Sequence, residues 1–168
     1  MQRRRVITVI LALVTFGAAL AFGQERSPDR DIDAKAAQPI RAVLGKLNQA
    51  WNAADGGAFA SQFTADADVI NINGTHFRGQ PDLAKQMQLI FDTVFKGSKH
   101  SARTLEVARY LSEDTILAVS SAVIEVPRGP LAPEARSRQT IILVSGNDTW
   151  KIRHWHNTPI RRERTSAR

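Results

Sequence analysis

An α+β domain, a curved antiparallel sheet with its helices gathered on the concave side, is what three features of this sequence predict. Apolar residues recur at spacings of three and four through the first half of the chain. After Gly97 the spacing switches to two and stays there. Between two of the alternating runs lies PRGPLAPEA, residues 127–135, whose three prolines and one glycine forbid regular structure. A small helical layer cannot cover a long sheet evenly, so the predicted shape is a cone with an internal hollow.

The first helix is read from residue 31, with Ile40, Val43, Leu44, Leu47, Ala50 and Trp51 on one face. Asp31 or Asp33 caps its start, DGG at 55–57 ends it, and Pro39 predicts a kink or a restart. A short second helix is expected over 58–63. DADVINING followed by THFRG reads as a hairpin, with Val69, Ile70 and Ile72 leading into Asn73-Gly74 and His76 to Arg78 returning. Gly79-Gln80-Pro81-Asp82 opens a third helix, since proline is tolerated in a first turn. Its apolar stripe, Leu83, Met87, Ile90, Phe91, Val94 and Phe95, runs down to Gly97.

Four strands follow. SARTLEVARYL alternates, with Arg103, Leu105 and Val107 on one face and Thr104, Glu106 and Ala108 on the other. TILAVSSAVIEV, SRQTIILVSG and WKIRHWHNTPI are the remaining three, with turns at 112–114 and 146–148.

The ends of the chain differ from its body. Residues 1–23 combine the basic MQRRR, an apolar run and a small-residue AFG before Gln24, the pattern of a cleaved signal peptide. The apolar run is short for a bilayer span, so export to the periplasm or beyond is expected, with an uncleaved membrane anchor as the alternative. No later segment is apolar enough to span a membrane. Residues 24–32 read as a linker, 33–160 as the folded domain and 161–168 as a basic disordered tail. The formal charge of +7 sits at the ends: the leader carries +3, the tail +3 and the body only +1. No basic stripe interleaved with aromatics appears in the body, which argues against a nucleic-acid reader. The absence of cysteine excludes disulfides, thiolate nucleophiles and cysteine metal sites.

AWNAADGGAFASQFTADADVININGTHFRGQPDLAKQM and SRQTIILVSGNDTWKIRHWHNTPI together resemble the SgcJ/EcaC group of SnoaL-like proteins. These belong to the nuclear-transport-factor-2-like superfamily, which also holds ketosteroid isomerase and scytalone dehydratase. The likeness runs from Ile40 to Ile160, with HNTP and the NG…FRG hairpin as its specific parts. It implies a cystatin-like roll, often a homodimer through the sheet, with a pocket for a small apolar organic ligand and no cofactor or metal. This superfold hosts isomerases, cyclases, dehydratases, hydrolases and non-catalytic binders, so the reaction stays open.

The candidate chemistry sits at strand ends. Regular alternation puts Ile152, His154 and His156 on one face of the last strand and Arg153, Trp155 and Asn157 on the other, unless the strand bulges or ends near Pro159. His156 is the candidate general base or acid, Asp68 its partner or an independent acid, and Asn157 an orienting donor. The alternative is that His156 and Asn157 bond locally and close the sheet, while Asp68 serves a turn. A metal would need His154, His156 and a third donor such as His76 or Asp68, yet no HExxH-like spacing supports one. Trp51, Phe63, Phe77, Phe91, His76, Glu125 and His154 are candidates for lining a ligand pocket. Arg103 is another, since a cation at the cone suits a carboxylate or phenolate; an inter-strand ion pair is its alternative, as for Arg138.

Overall fold

The computed structural model describes residues 31–147 and 149–161. The expected leader, most of the linker and the tail beyond Arg161 lie outside the described residues.

Helix α1, Ala34–Ala53, starts at Asp33, whose carboxylate accepts from the amides of Lys35 and Ala36 at 2.7 and 3.2 Å. This satisfies two of the donors a helix start leaves open, so Asp33 is the cap. The helix continues unbroken through Pro39. The segment before it is anchored too: Ile32 bridges Ala108, and the Asp33 amide donates to the Ala108 carbonyl at 2.7 Å. Helix α2, Gly56–Ala60, is earlier and shorter than its expected span, because Asp55 caps it and Phe63 already begins the first strand. Gly56 is required there. A Cβ at that position would lie 2.6 Å from the Ala84 carbonyl oxygen and the Gln88 nitrogen of the neighbouring helix.

Strands β1, Phe63–Ile70, and β2, His76–Arg78, form the expected hairpin, with Gly74 at φ 86° in its turn, a region that favours glycine. Helix α3, Gly79–Asp92, stops at Thr93, so the apolar stripe outlasts the helix and its last members lie in turns. Strands β3, Lys99–Ser112, β4, Thr115–Glu125, β5, Glu134–Gly146, and β6, Thr149–Pro159, complete a six-stranded sheet in the order β2-β1-β6-β5-β4-β3. Every pairing is antiparallel except β1 with β6, which is parallel. The sequence pattern predicted an antiparallel sheet, and the parallel strand pairing is where the hairpin strand docks on the last strand.

Ile40, Leu44 and Leu47 of α1 pack against the inner face of the sheet, where Phe63, Ile116, Ile141, Leu143 and Ile152 have no exposed surface. Each such side chain contributes about 2 kcal/mol by leaving water. Two irregularities decide what else faces inward. In β3 the register slips between Leu105 and Val107, so Arg103, Leu105 and Ala108 share the inner face and Val107 turns out, against the predicted alternation. In β6, Leu143 pairs with Ile152 but Ile142 pairs with His154, leaving Arg153 as an extra residue. A bulge of one residue reverses the side-chain parity beyond it. Trp155 therefore joins Ile152 on the buried face, and His154 and His156 point to the opposite face.

Candidate functional site

A cavity of about 230 Å³ lies between the helices and the inner face of the sheet. Its apolar part is supplied by Trp51 of α1, Phe59 of α2, Val69 and Phe77 of the hairpin, and Met87 and Ile90 of α3. Trp51 is fixed by edge contacts at 5.1 Å with both Phe91 and Phe95, and its indole N–H donates to Ser98 Oγ at 3.0 Å. Aromatic rings held edge-on in this way form a stiff wall. Leu131 of the proline-rich loop and Asn71 and Asn73 of the hairpin turn add to the lining.

The sheet supplies the polar wall: Arg103, Ser137, Gln139 and Asn157, with Trp155 among them. Arg103 donates from Nε to Asn48 Oδ1 at 3.0 Å, and from Nη1 to Ser120 Oγ at 3.2 Å and Gln139 Oε1 at 3.0 Å. Its guanidinium lies 5.7 Å from the Trp155 ring centre, a cation–π contact. Burial pushes its pKa down to about 10, which still leaves it charged at neutral pH. Its partners are all neutral, and among the described residues it has no carboxylate partner. Gln139 is 1% exposed and Ser120 fully buried. Ser120 Oγ donates to Gln139 Oε1 at 2.9 Å, while Gln139 Nε2 donates to Ser137 Oγ at 2.7 Å and Asn157 Oδ1 at 3.1 Å.

This arrangement brings together Trp51, Phe77, Arg103 and Asn157 of the residues singled out from sequence. Phe63 and Phe91 are buried beside the cavity in the core rather than in its lining. The expected catalytic set is corrected: only Asn157 reaches the cavity, because the β6 bulge sends His156 outward, where it is exposed beside Ile70 and Thr140. Asp68 also lies on the outer face. It accepts from His76 at 2.7 Å, and that hydrogen bond, followed by the charges of His76, Arg153 and Arg78, holds its carboxyl below the usual carboxylate range. His76 and His154 share this outer face, and Glu125 ends β4 exposed, in register with Lys99 and Glu134. None of the four lines the cavity. The ion-pair alternative holds for Arg138, which meets Glu106 at 2.8 Å, and not for Arg103.

Sequence reading missed Gln139, Ser120, Asn48 and Ser137. Two of them carried a signal: Gln139 alternates with Ile141 and Leu143, and Ser120 with Ala118 and Ala122, so each occupies a core-facing slot. A polar residue in such a slot must find partners.

With this geometry in view, comparison with known proteins places the chain. The model of the SnoaL-like domain matches residues 40–160. The chain belongs to the SnoaL-like family. Among solved structures, this SnoaL-like chain is similar to a domain of unknown function with a cystatin-like fold from Nostoc punctiforme, at 25% identity, TM-score 0.67 and coverage of 79% of this chain and 82% of that one. A ketosteroid isomerase-like protein from Erwinia carotovora atroseptica is 18% identical, TM-score 0.64, covering 78% and 100%. A scytalone dehydratase candidate from Novosphingobium aromaticivorans is 14% identical, TM-score 0.64, covering 74% and 84%. The last two share the fold and say nothing further about this SnoaL-like chain. A search of functionally curated proteins gives no match.

Proposed function

We propose that this protein is an exported SnoaL-like domain that binds a small, largely apolar organic molecule in its cone without transforming it. One observation carries the reading: a cavity of about 230 Å³, walled by aromatic rings, whose lining contains no aspartate, glutamate or histidine among the described residues. A cavity of ~150 Å³ already accepts a benzene ring, so this one suits a molecule of about two rings. Proton-transfer chemistry of the kind run by isomerases and dehydratases needs a carboxylate or imidazole at the bound molecule. Here Asp68, His76, His154 and His156 stand on the outer face of the sheet, and His100, half-buried opposite Ile124, is not part of the lining.

Calorimetric titration with neutral two-ring probes, 2-naphthamide first, tests the reading. One probe per chain is expected, with binding abolished in Ala122→Phe, which fills the cavity from β4. No saturable binding by any probe would overturn it. Turnover of a probe, lost in the same variant, would restore the catalytic reading.

Export rests on the basic, apolar and small-residue succession of residues 1–23. The mass of the protein recovered from its host is expected to lack those residues, and a full-length mass in the membrane fraction would favour an anchor instead. Pairing of two copies through the sheet rests on Val107, Leu117, Val119, Val123 and Ile142, half-buried apolar side chains on the outer face. Light scattering should give the mass of two chains, falling to one in Val119→Glu; a single-chain mass for the unaltered protein would sink this assignment. The narrower SgcJ/EcaC subtype is our reading of the HNTP ending and the NG…FRG hairpin.

A further inference from the structure

We propose that the molecule bound in the cone is an organic anion, a carboxylate on an apolar body, whose head is received by Arg103 and Asn157. The proposal rests on the reading of the cavity as a ligand site and adds the charge of what enters it.

Arginine fixes the polarity of the whole inner wall. A guanidinium has five N–H donors and no acceptor, so the Gln139 atom facing Arg103 must be the carbonyl oxygen. The Gln139 amide nitrogen then faces the other way and donates to Asn157 Oδ1. Asn157 is turned in consequence, and its own NH₂ is left without a partner among the described residues. Each acceptor oxygen in the chain is occupied: Asn48 Oδ1 and Gln139 Oε1 by Arg103, Asn157 Oδ1 by Gln139. The donors are in surplus. Arg103 Nη2 makes no hydrogen bond with the described residues, nor does Asn157 Nδ2, and both residues line the cavity. Ser137 Oγ already accepts from Gln139, which leaves its hydroxyl proton as a further donor at the same wall.

A charge withdrawn from water needs an opposite charge or dense hydrogen bonding to hold it. Neutral amides, a hydroxyl and the Trp155 face supply part of that here, and no carboxylate among the described residues supplies the rest. A ligand with two acceptor oxygens and one negative charge meets both needs at once, the spare donors and the uncompensated cation. A neutral or cationic head meets neither. The aromatic walls on the opposite side take the apolar body.

The test uses matched pairs that differ only at the head: 2-naphthoate against 2-naphthamide, and cinnamate against cinnamamide, titrated into the full chain at pH 7. The acid of each pair is expected to bind at least tenfold more tightly than its amide, since a hydrogen bond to a charged partner outweighs a neutral one. Arg103→Met should remove that preference, bringing the acid of each pair to within about twofold of its amide, and Arg103→Lys should keep part of it. Acid and amide binding equally would overturn the anion and leave the pocket standing. Neither binding would overturn both. Should Arg103→Met fail to fold, the paired comparison on the unaltered chain still decides, because it requires no variant.

Discussion

The two faces of the sheet carry similar polar inventories and put them to different physical use. On the inner face, Arg103, Ser120, Gln139 and Asn157 form one directed chain of hydrogen bonds, shielded from water, with the cation left unpaired by any described carboxylate. On the outer face, Asp68 with His76, Asp66 with Arg153 and Glu106 with Arg138 form separate acid–base pairs in contact with solvent. Water screens the outer pairs, so each is worth little to stability. Within the inner chain each group's orientation is dictated by the one before it, and the low dielectric makes every surplus donor costly until it is met. Residue type alone would have ranked the outer face, with its histidines and carboxylates, as the reactive one. Burial reverses the ranking.

The sharpest break of this comparison lies on β6, where neighbours in sequence belong to opposite faces. Trp155 is 5% exposed, packs 6.1 Å from Phe63 and stands beneath Arg103. Trp155→Ala is expected to cost about 3–5 kcal/mol in urea unfolding, from lost burial and an enlarged cavity. That is a large share of the stability of a domain this size. A loss under about 1 kcal/mol would mean that Trp155 is not on the packed side, and the two faces would have to be exchanged.

Most of the fold was legible because its signals are periodic: a spacing of three or four for α1 and α3, two for the long strands, and punctuation at Asn73-Gly74 and residues 127–135. The site was legible only where parity survived. Trp51, Phe77, Arg103 and Asn157 were found, the first two because aromatic residues seek the interior, the third because a cation interrupts an apolar strand and the fourth because it shares a face with Trp155 at the end of the last strand. His156 was misplaced because Arg153 is an extra residue in β6, and nothing in KIRHWH distinguishes a bulged strand from a regular one. The register slip after Leu105 likewise put Val107 outside and Ala108 inside. Bulges are set by pairing with strands far away in sequence, so a local pattern does not reveal them. Gln139 was overlooked for another reason. Its slot was readable as core-facing, but its value comes from Arg103, which lies 36 residues away.

A smaller effect separates the two faces by pH. His100 sits on β3 opposite Ile124, with Nε2 buried and without a partner among the described residues, and burial together with the charge of Arg103 pushes its pKa down to about 4. The unfolded chain takes up this proton near pH 6.5, and the folded protein resists until about pH 4. The stability conferred by a neutral His100 is therefore complete above pH 6.5 and lost as the pH falls toward 4. The ring retains some contact with solvent, so the loss is on the order of 1–2 kcal/mol after screening. Asp68 acts in a separate window, since its lowered pKa confers stability above the ordinary value of 3.8 that disappears only at lower pH. Unfolding followed across the acid range should show His100→Gln flattening the slope between pH 6.5 and 4, and Asp68→Asn flattening it only below. A single slope removed by Asp68→Asn alone would place the sensitive group outside.

The least effect is expected where sequence placed the catalyst. His156 is exposed, and no described hydrogen bond or ion pair holds its side chain. His156→Ala removes no buried area and no partner, so it should change stability by less than about 0.5 kcal/mol. It should also leave 2-naphthoate affinity within twofold, because Trp155 and Asn157 keep their inward positions as long as the Arg153 bulge persists. Both halves of this result matter. Unchanged stability with reduced affinity would show that the end of β6 can reach the ligand, and the separation of the faces would fail at that strand. Unchanged affinity with a large loss of stability would point to a partner covering the outer face, which the mass in solution would reveal independently. A null effect on both counts leaves the inner wall as the part of β6 that meets the ligand.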